Sequence, residues 1–427
     1  MARQLSILAA AVLMALAMWF WVQHIAIPHQ ESDAATLGIP RGNLSDLYPR
    51  WLGARELLLH GRDPYSPEIT REIQAGYYGR PLDACRLNDP RDQQAFAYPV
   101  YVVFVLAPTV HLPFPTVQRS FLCLLVIATA ASVVLWMRVL AWRPSLAITL
   151  AWIVLALGSF PAIQGFKLQQ LTLLVAVLLA ASVCLIVRGH LFAAGILLAL
   201  TTIKPQLALL PVLWLGIWVM GNWRARQRLF WSFAGSMAVL FAASEWILPG
   251  WLGRFRAASA AYYQYTGGGR SVLDVLLPSI VGKAAALILV IVCIALVWQI
   301  RREPADTPGF RWSLVLVMAT TLAVIPMFAP YNQLLLMPCL LEIFRTARFA
   351  SGVNRLSRFL FSATGLVVVW PWLAAALLTI ALVFLPASTV QRAWVVPLYT
   401  SLAIPVMVLA LVLQLRTTLR SGVNAAR

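Results

Sequence analysis

Charge is what this 427-residue chain has least of: Asp, Glu, Lys and Arg make up only 11% of it, against about 25% in soluble domains. No polar segment is long enough to bury a core of its own, which excludes a separate soluble domain. Lysine is almost absent, with three residues beside thirty arginines. The five histidines, at 24, 29, 60, 111 and 190, share no ligand spacing, and there is no Asp-x-Asp, so no metal and no cofactor are expected. Cysteine offers no disulfide framework: Cys123, Cys184, Cys293 and Cys339 fall in apolar runs, and Cys85 stands alone in a polar loop. A net charge of +18 would suit a nucleic-acid partner if the arginines formed a patch, but they sit in short clusters between apolar runs.

What is abundant is apolar length. Hydrophobic residues make up 61% of the chain and mean hydropathy is +0.80. Runs of 15–25 apolar residues recur from end to end, and about 20 residues cross a hydrocarbon core. The fold class expected is all-α and polytopic, one transmembrane domain over residues 1–427. Its first run, after Arg3 and up to about Val22, ends in aromatic residues without a small-x-small cleavage site. It therefore reads as a retained first helix (1–27), not a signal peptide. Arginine-bearing loops at 138–143, 188, 221–228, 301–311 and 345–358 are assigned to the cytoplasm, as is the tail. Alternation then predicts about twelve spanning helices with both termini inside and the joints at 28–115, 161–170, near 204, 249–280, 326–332 and 386–393 outside.

The long first joint holds ten of the fifteen acidic residues and eight arginines between 28 and 95, a near balance that marks a folded segment. Ser45 or Asp46 suits an N-cap, Pro49 a first turn and Gly61 a stop; Ser66 and Pro67 begin a second helix. Residues 96–113 resemble a span but are interrupted by Pro99 and Pro108, and reading them as one breaks the alternation. They are expected to be interfacial or re-entrant. Residues 189–220 would make one helix of about 48 Å between two cytoplasmic-type flanks, so they must fold as a hairpin of two short helices turning at Lys204-Pro205.

Several stretches together resemble a known family. "SDLYPRWLGARELLLHGRDPYSP" stands against a D-x-x-Y…G-x-D-P-Y signature, with one residue fewer between Asp46 and Tyr48, "FAYPVYVVFVLAPTVHLP" against a Y-P-P…P…L-P segment, and "IQGFKLQQLTLL" and "TTIKPQLALLP" follow in order. This chain resembles the GT-C glycosyltransferases and, more narrowly, glycosyltransferase family 87, which includes polyprenyl-phosphomannose-dependent mannosyltransferases. The resemblance covers roughly residues 40–345. It departs at Val100, where the family has a second proline, and at "FAPYNQLLL", where the mannosyltransferase branch carries histidine. Sugar and acceptor stay open on that account: mannose is favoured, with arabinose or another pentose or hexose as alternatives.

The resemblance implies transfer of a sugar from a polyprenyl-phosphate donor to an envelope glycan or glycolipid, on the outer face of a bacterial inner membrane. The partners are then the bilayer, the lipid-linked sugar and the acceptor, and no nucleic acid. Such chemistry needs one base for the acceptor hydroxyl and cations for the leaving phosphate. Asp46 is the candidate base, with helix capping as its bland alternative. Lys204, at a buried turn beside a helix start, is the candidate phosphate ligand, with a snorkelling lysine as alternative. Lys167, with Gln169 and Gln170, could meet sugar hydroxyls or anchor an interface. Arg50 is expected to bind phosphate or pair with an acid, while Arg55 suits a salt bridge. Tyr65 and Tyr98 could stack on a sugar or simply pack. "YYQYTGGGRS" suits a flap ending in Arg270, or an ordinary loop, and Tyr331 and Asn332 could contact the acceptor. A flippase or a polymerase or ligase of lipid-linked saccharides are the rival functions. The first is disfavoured by polar residues concentrated on one side, the second by the early position of the large loop.

Overall fold

The computed structural model describes residues 2–42, 44–83, 85–265, 269–346, 355–414 and 416, and among these all regular structure is helical. The chain opens with α1 (Ala2–Leu37), continuous through a π-helical turn at Val22–Ala26. The first helix was expected to end near residue 27; it runs to Leu37 because the π turn, closed by the Ile27 N–H on the Val22 carbonyl, widens the backbone where the Pro28 ring enters. Gly38, at φ +62°, ends it.

Three short helices follow: α2 (Leu47–His60), α3 (Pro67–Tyr78) and α4 (Val102–Leu106). Gly61 closes α2 in the left-handed conformation, and the Ser66 hydroxyl accepts the Ile69 N–H to start α3, as the local sequence requires. Residues 96–113 hold no helix of spanning length. The Trp51 indole donates to the Thr109 carbonyl and Tyr65 Oη to the Tyr98 carbonyl (2.6 Å), which pins this segment beneath α2. Several acids of the segment are matched within it, Arg62 bridging Glu56 and Glu72, and Arg80 holding Asp89, while Asp63 pairs with Arg254 at 2.7 Å.

The bundle proper comprises α5 (Phe114–Val139), α6 (Leu146–Leu157), α7 (Phe160–Leu168), α8 (Leu171–Val187), α9 (Leu191–Thr201), α10 (Pro205–Gly221), α11 (Trp223–Ile247), α12 (Trp251–Tyr265), α13 (Val272–Leu276), α14 (Ser279–Ile300), α15 (Pro308–Val324), α16 (Met337–Thr346), α17 (Arg355–Phe384), α18 (Ala387–Arg392) and α19 (Ala403–Gln414). Six stretches are long and apolar enough to cross a membrane, seven if the 54° bend between α6 and α7 lies within one span. That makes a multi-pass membrane protein; the twelve spans that charge alternation predicts are not confirmed. α8, α10 and α15, with 17 residues each, and α9, with 11, are shorter apolar helices outside that count.

The predicted hairpin forms: α9 and α10, about 16 and 26 Å long, turn at Lys204. α9 packs on α8 and α11, and α8 on α5. α15 is buried on nearly every face and is the centre of the bundle, which explains its uniform apolarity. Tyr101 Oη donates to the Thr202 carbonyl (2.9 Å), tying the 96–113 segment to the hairpin turn.

Candidate active site

Asp46 occupies the N-cap position of α2, yet its side chain makes no capping bond. Its own backbone is already in the right-handed helical region at φ −61°, ψ −10°, so the carboxylate is not aimed at the N–H groups of the first turn. It accepts instead from the Gln170 side-chain amide, and the Tyr77 hydroxyl is turned towards it. Burial pushes the carboxyl above the usual Asp range, against the opposing pull of Arg50 and Lys204.

Gln170 begins a continuous polar line. Its Oε1 accepts from Lys204 Nζ at 2.8 Å; the same ammonium donates to Thr172 Oγ1 at 2.7 Å and lies 4.9 Å above the Tyr331 ring. The Thr172 hydroxyl donates a hydrogen bond to Asn332 Oδ1 at 3.0 Å. Lys204 is only 4% exposed, so two neutral acceptors and a π face replace its water. Its nearest formal counter-charge, Asp46, is reached through Gln170. Pro205 begins α10 at that point, as expected, leaving the helix start beside the ammonium.

Arg50 lies one turn along α2. Its guanidinium stacks over Tyr98 at 4.2 Å, and its Nε and Nη1 are buried without a hydrogen-bond partner. Buried donors are nearly always satisfied, so two on one guanidinium mark a place for an acceptor. A second carboxylate stands close by: Asp92 accepts from the Gln94 backbone (3.1 Å) and side chain (2.9 Å), and burial together with Asp46 raises its pKa. In the sequence Asp92 belongs to "NDPRD", which reads as a polar turn; nothing local signals that the turn folds back to Asp46. Tyr77 and Thr172 were likewise silent.

The structure therefore brings Asp46, Arg50, Tyr98, Lys204, Tyr331 and Asn332 together. Other expected site residues are engaged elsewhere. Gln169, at φ +50°, receives the Ser45 hydroxyl on Oε1 and donates Nε2 to the Gln118 carbonyl, so its amide is consumed in joining the α7–α8 turn to α5 and the start of α2. Gln170 faces Asp46 and Lys204 in its place. The Tyr65 hydroxyl is bound to Tyr98, and its ring meets Phe96 edge-on at 5.2 Å. Arg270 is exposed, and its carbonyl accepts the N–H groups of Met327 and Phe328; Gly267 and Gly268 of the expected flap lie outside the described residues. Arg55 stacks over Trp51 at 5.4 Å instead of forming the expected salt bridge. Lys167 lies apart, on a cavity of about 430 Å³ that also reaches Arg41, Tyr77 and Gln164.

The model of glycosyltransferase family 87 matches residues 96–330. This region contains Tyr98, Lys167, Gln170 and Lys204. Asp46 and Arg50 precede it, and Tyr331 follows directly. No curated protein and no solved structure matches the chain. More than half of the sequence lies within that match, and the fold around it is a bundle of membrane-length helices: the chain belongs to glycosyltransferase family 87 and is a membrane glycosyltransferase of the GT-C superfamily.

Proposed function

We propose that the chain moves a sugar from a polyprenyl-phosphate donor to a glycan or glycolipid acceptor of the cell envelope, with inversion at the anomeric carbon. The observation that carries this reading is the Asp46–Arg50 pair: a carboxylate released from capping beside a buried guanidinium whose Nε and Nη1 have no hydrogen-bond partner. Asp46 takes the proton of the acceptor hydroxyl as that oxygen attacks the anomeric carbon. The bond from that carbon to the phosphate oxygen breaks from the opposite face, and polyprenyl phosphate leaves with the electron pair. The extra negative charge on the leaving phosphate develops beside Arg50 and Lys204, where preorganised donors are most effective. One carboxylate suffices because phosphate departs without a proton, unlike the paired acids of glycoside hydrolysis.

Tyr98, Tyr331 and Asn332 belong to the same cluster and are assigned to the sugar and the acceptor. Mannose is the favoured sugar, on the family resemblance alone. We place the reaction on the extracytoplasmic face of a bacterial inner membrane with both termini inside, in keeping with the arginine distribution. The reaction is proposed to be metal-independent; among the described residues no three His, Cys, Asp or Glu side chains are grouped to hold an ion.

The test uses the purified protein in liposomes with polyprenyl phosphates bearing mannose, arabinose, glucose or galactose, and follows release of polyprenyl phosphate by wild type and Asp46→Asn. Release from one donor by wild type alone, unchanged by chelator, is the expected result. Equal release by both proteins would remove Asp46 as base. No release from any donor, with folding confirmed and a range of acceptors present, would overturn the donor class.

A further inference from the structure

We infer that Asp92, with Tyr78 of α3 and Tyr262 of α12, forms the subsite that holds a neutral sugar ring of the acceptor, Asp92 accepting hydrogen bonds from its hydroxyls. The role in transfer rests on the proposed reaction; the binding of a neutral ring does not.

The Asp92 carboxylate is fixed by an unusual turn. Gln94 adopts the left-handed conformation at φ +52°, where a residue with a side chain is strained, and so brings its N–H to one carboxylate oxygen (3.1 Å) and its amide to the other (2.9 Å). The buried Gln74 holds the neighbouring Gln93 carbonyl at 3.1 Å, and the Tyr78 hydroxyl donates to the Asp92 carbonyl at 2.7 Å. A carboxylate has about four acceptor sites, and Gln94 takes one on each oxygen. One site on each oxygen remains, which matches a pair of neighbouring hydroxyls on a sugar ring.

Two tyrosine pairs meet at this carboxylate. Tyr77 and Tyr78 lie edge-on at 4.9 Å, and Tyr262 and Tyr265, three residues apart on one face of α12, lie edge-on at 5.3 Å. Burial, and next the Asp92 charge, push the Tyr78, Tyr262 and Tyr265 hydroxyls above the usual tyrosine range. Asp92, Tyr78 and Tyr262 are only half-buried, so each keeps area open to a ligand, while Tyr265 backs the Tyr262 ring.

Charge selects the ligand. Asp46 and Arg50 are charged neighbours of Asp92 and of Lys204 alike, and so join a carboxylate end of the site to an ammonium end. The ammonium end suits the donor phosphate. A carboxylate among tyrosines repels phosphate and suits hydroxyls, which leaves this end, beside Asp46, to the partner without a phosphate.

α12 reaches this position on few supports. It is not packed extensively on any other helix. Its Trp251 ring meets Tyr101 at 5.8 Å and Phe241 at 5.2 Å, and Arg254 pairs with Asp63 at 2.7 Å. Asp63 lies in the D-P-Y stretch, so the outer segment that carries Tyr78 and Asp92 also tethers the helix that carries Tyr262.

The experiment measures binding of the methyl glycosides of mannose, glucose, galactose and arabinose to the full-length protein in phosphatidylcholine nanodiscs, by saturation-transfer NMR. No donor lipid is present, so the outcome is independent of turnover. At least one glycoside is expected to bind. Asp92→Asn, which keeps the shape and an acceptor for the Gln94 N–H, should weaken it about tenfold. Tyr262→Ala should weaken it several-fold, and Arg254→Gln less, through the tether alone. Arg188→Gln, an exposed charge at the end of α8 remote from Gln170, should leave binding unchanged. Monodeoxy analogues of the bound glycoside separate contact from support: one of them should lose about tenfold on wild type and nothing further on Asp92→Asn. Binding of none of the four glycosides by folded wild type overturns the inference. So does equal binding by Asp92→Asn, or a loss in that variant that is the same for every deoxy analogue. Glycoside binding without release of polyprenyl phosphate from any donor would overturn the transfer reaction and leave the subsite standing.

Discussion

At the scale of single residues, Asp46 decides how the site is understood. A capping aspartate would cost about 1 kcal/mol of stability when replaced by alanine. Here the side chain caps nothing, so Asp46→Ala is expected to abolish transfer, and any fall in the thermal midpoint comes from the Gln170 amide and the Arg50 and Lys204 charges that lose their acceptor, not from a lost cap. Burial raises the folded-state pKa above 3.8, so the native fold favours the protonated acid. The stability this lends is full below pH 3.8 and is lost as pH rises through the higher folded value; Asp46→Asn should remove that dependence. As a base the residue must be ionised, so kcat/KM should rise with pH along a limb displaced above that of a free Asp. A pH profile of Asp46→Asn should lack the limb and run about 10²–10⁴-fold lower. A wild-type limb that survives in Asp46→Asn would assign the titration to another group, Asp92 first.

Elements matter because short helices, not loops, hold the buried cation. α9 ends at Thr201, well short of a bilayer's depth, and so delivers Lys204 to the level of Gln170 and Thr172. That position depends on how closely α9 approaches α11. A Cβ on Gly195 would come within 1.9 Å of Ser232 Oγ and 2.6 Å of the Leu229 carbonyl, and a helical backbone cannot give way as a side chain can. Gly195→Ala is expected to cost about 1–3 kcal/mol in an unfolding titration, with a raised KM for the donor as the hairpin shifts. An unchanged KM would show that the Lys204 turn is held from the Tyr101 side alone.

Across the whole molecule, one arginine ties distant joints. Arg226 is buried with both Nη nitrogens used: Nη1 donates to the Trp218 and Arg301 carbonyls (2.6 and 2.7 Å) and Nη2 to those of Arg302 and Glu303 (3.1 and 2.8 Å), over the Trp218 ring at 3.9 Å. It joins the α10–α11 connection to the α14–α15 connection, far from Asp46 in sequence. Lysine keeps the charge but not the fork. Arg226→Lys should therefore lower the thermal midpoint by the equivalent of about 2–3 kcal/mol, read by size exclusion after heating, and leave KM of the surviving protein unchanged. A shifted KM would mean that the joint also sets the shape of the site.

The sequence alone determined the membrane class and the hairpin at Lys204. Both follow from apolar length and proline position, which are local quantities, whereas a common site for Asp46 and Lys204 was implied by the family resemblance. The lengths of the individual helices were not legible, because an apolar run of 17 residues or fewer has the same composition as a longer one. Nor could a sequence separate Gln170 from Gln169. A single left-handed residue at 169 turns one amide towards Ser45 and leaves the next for Asp46, 124 positions away. The return of Asp92 to the site and the two unpartnered nitrogens of Arg50 were decided only by tertiary packing. Partners so distant in the chain leave no periodicity, and an unsatisfied donor is defined by what surrounds it, not by what it is.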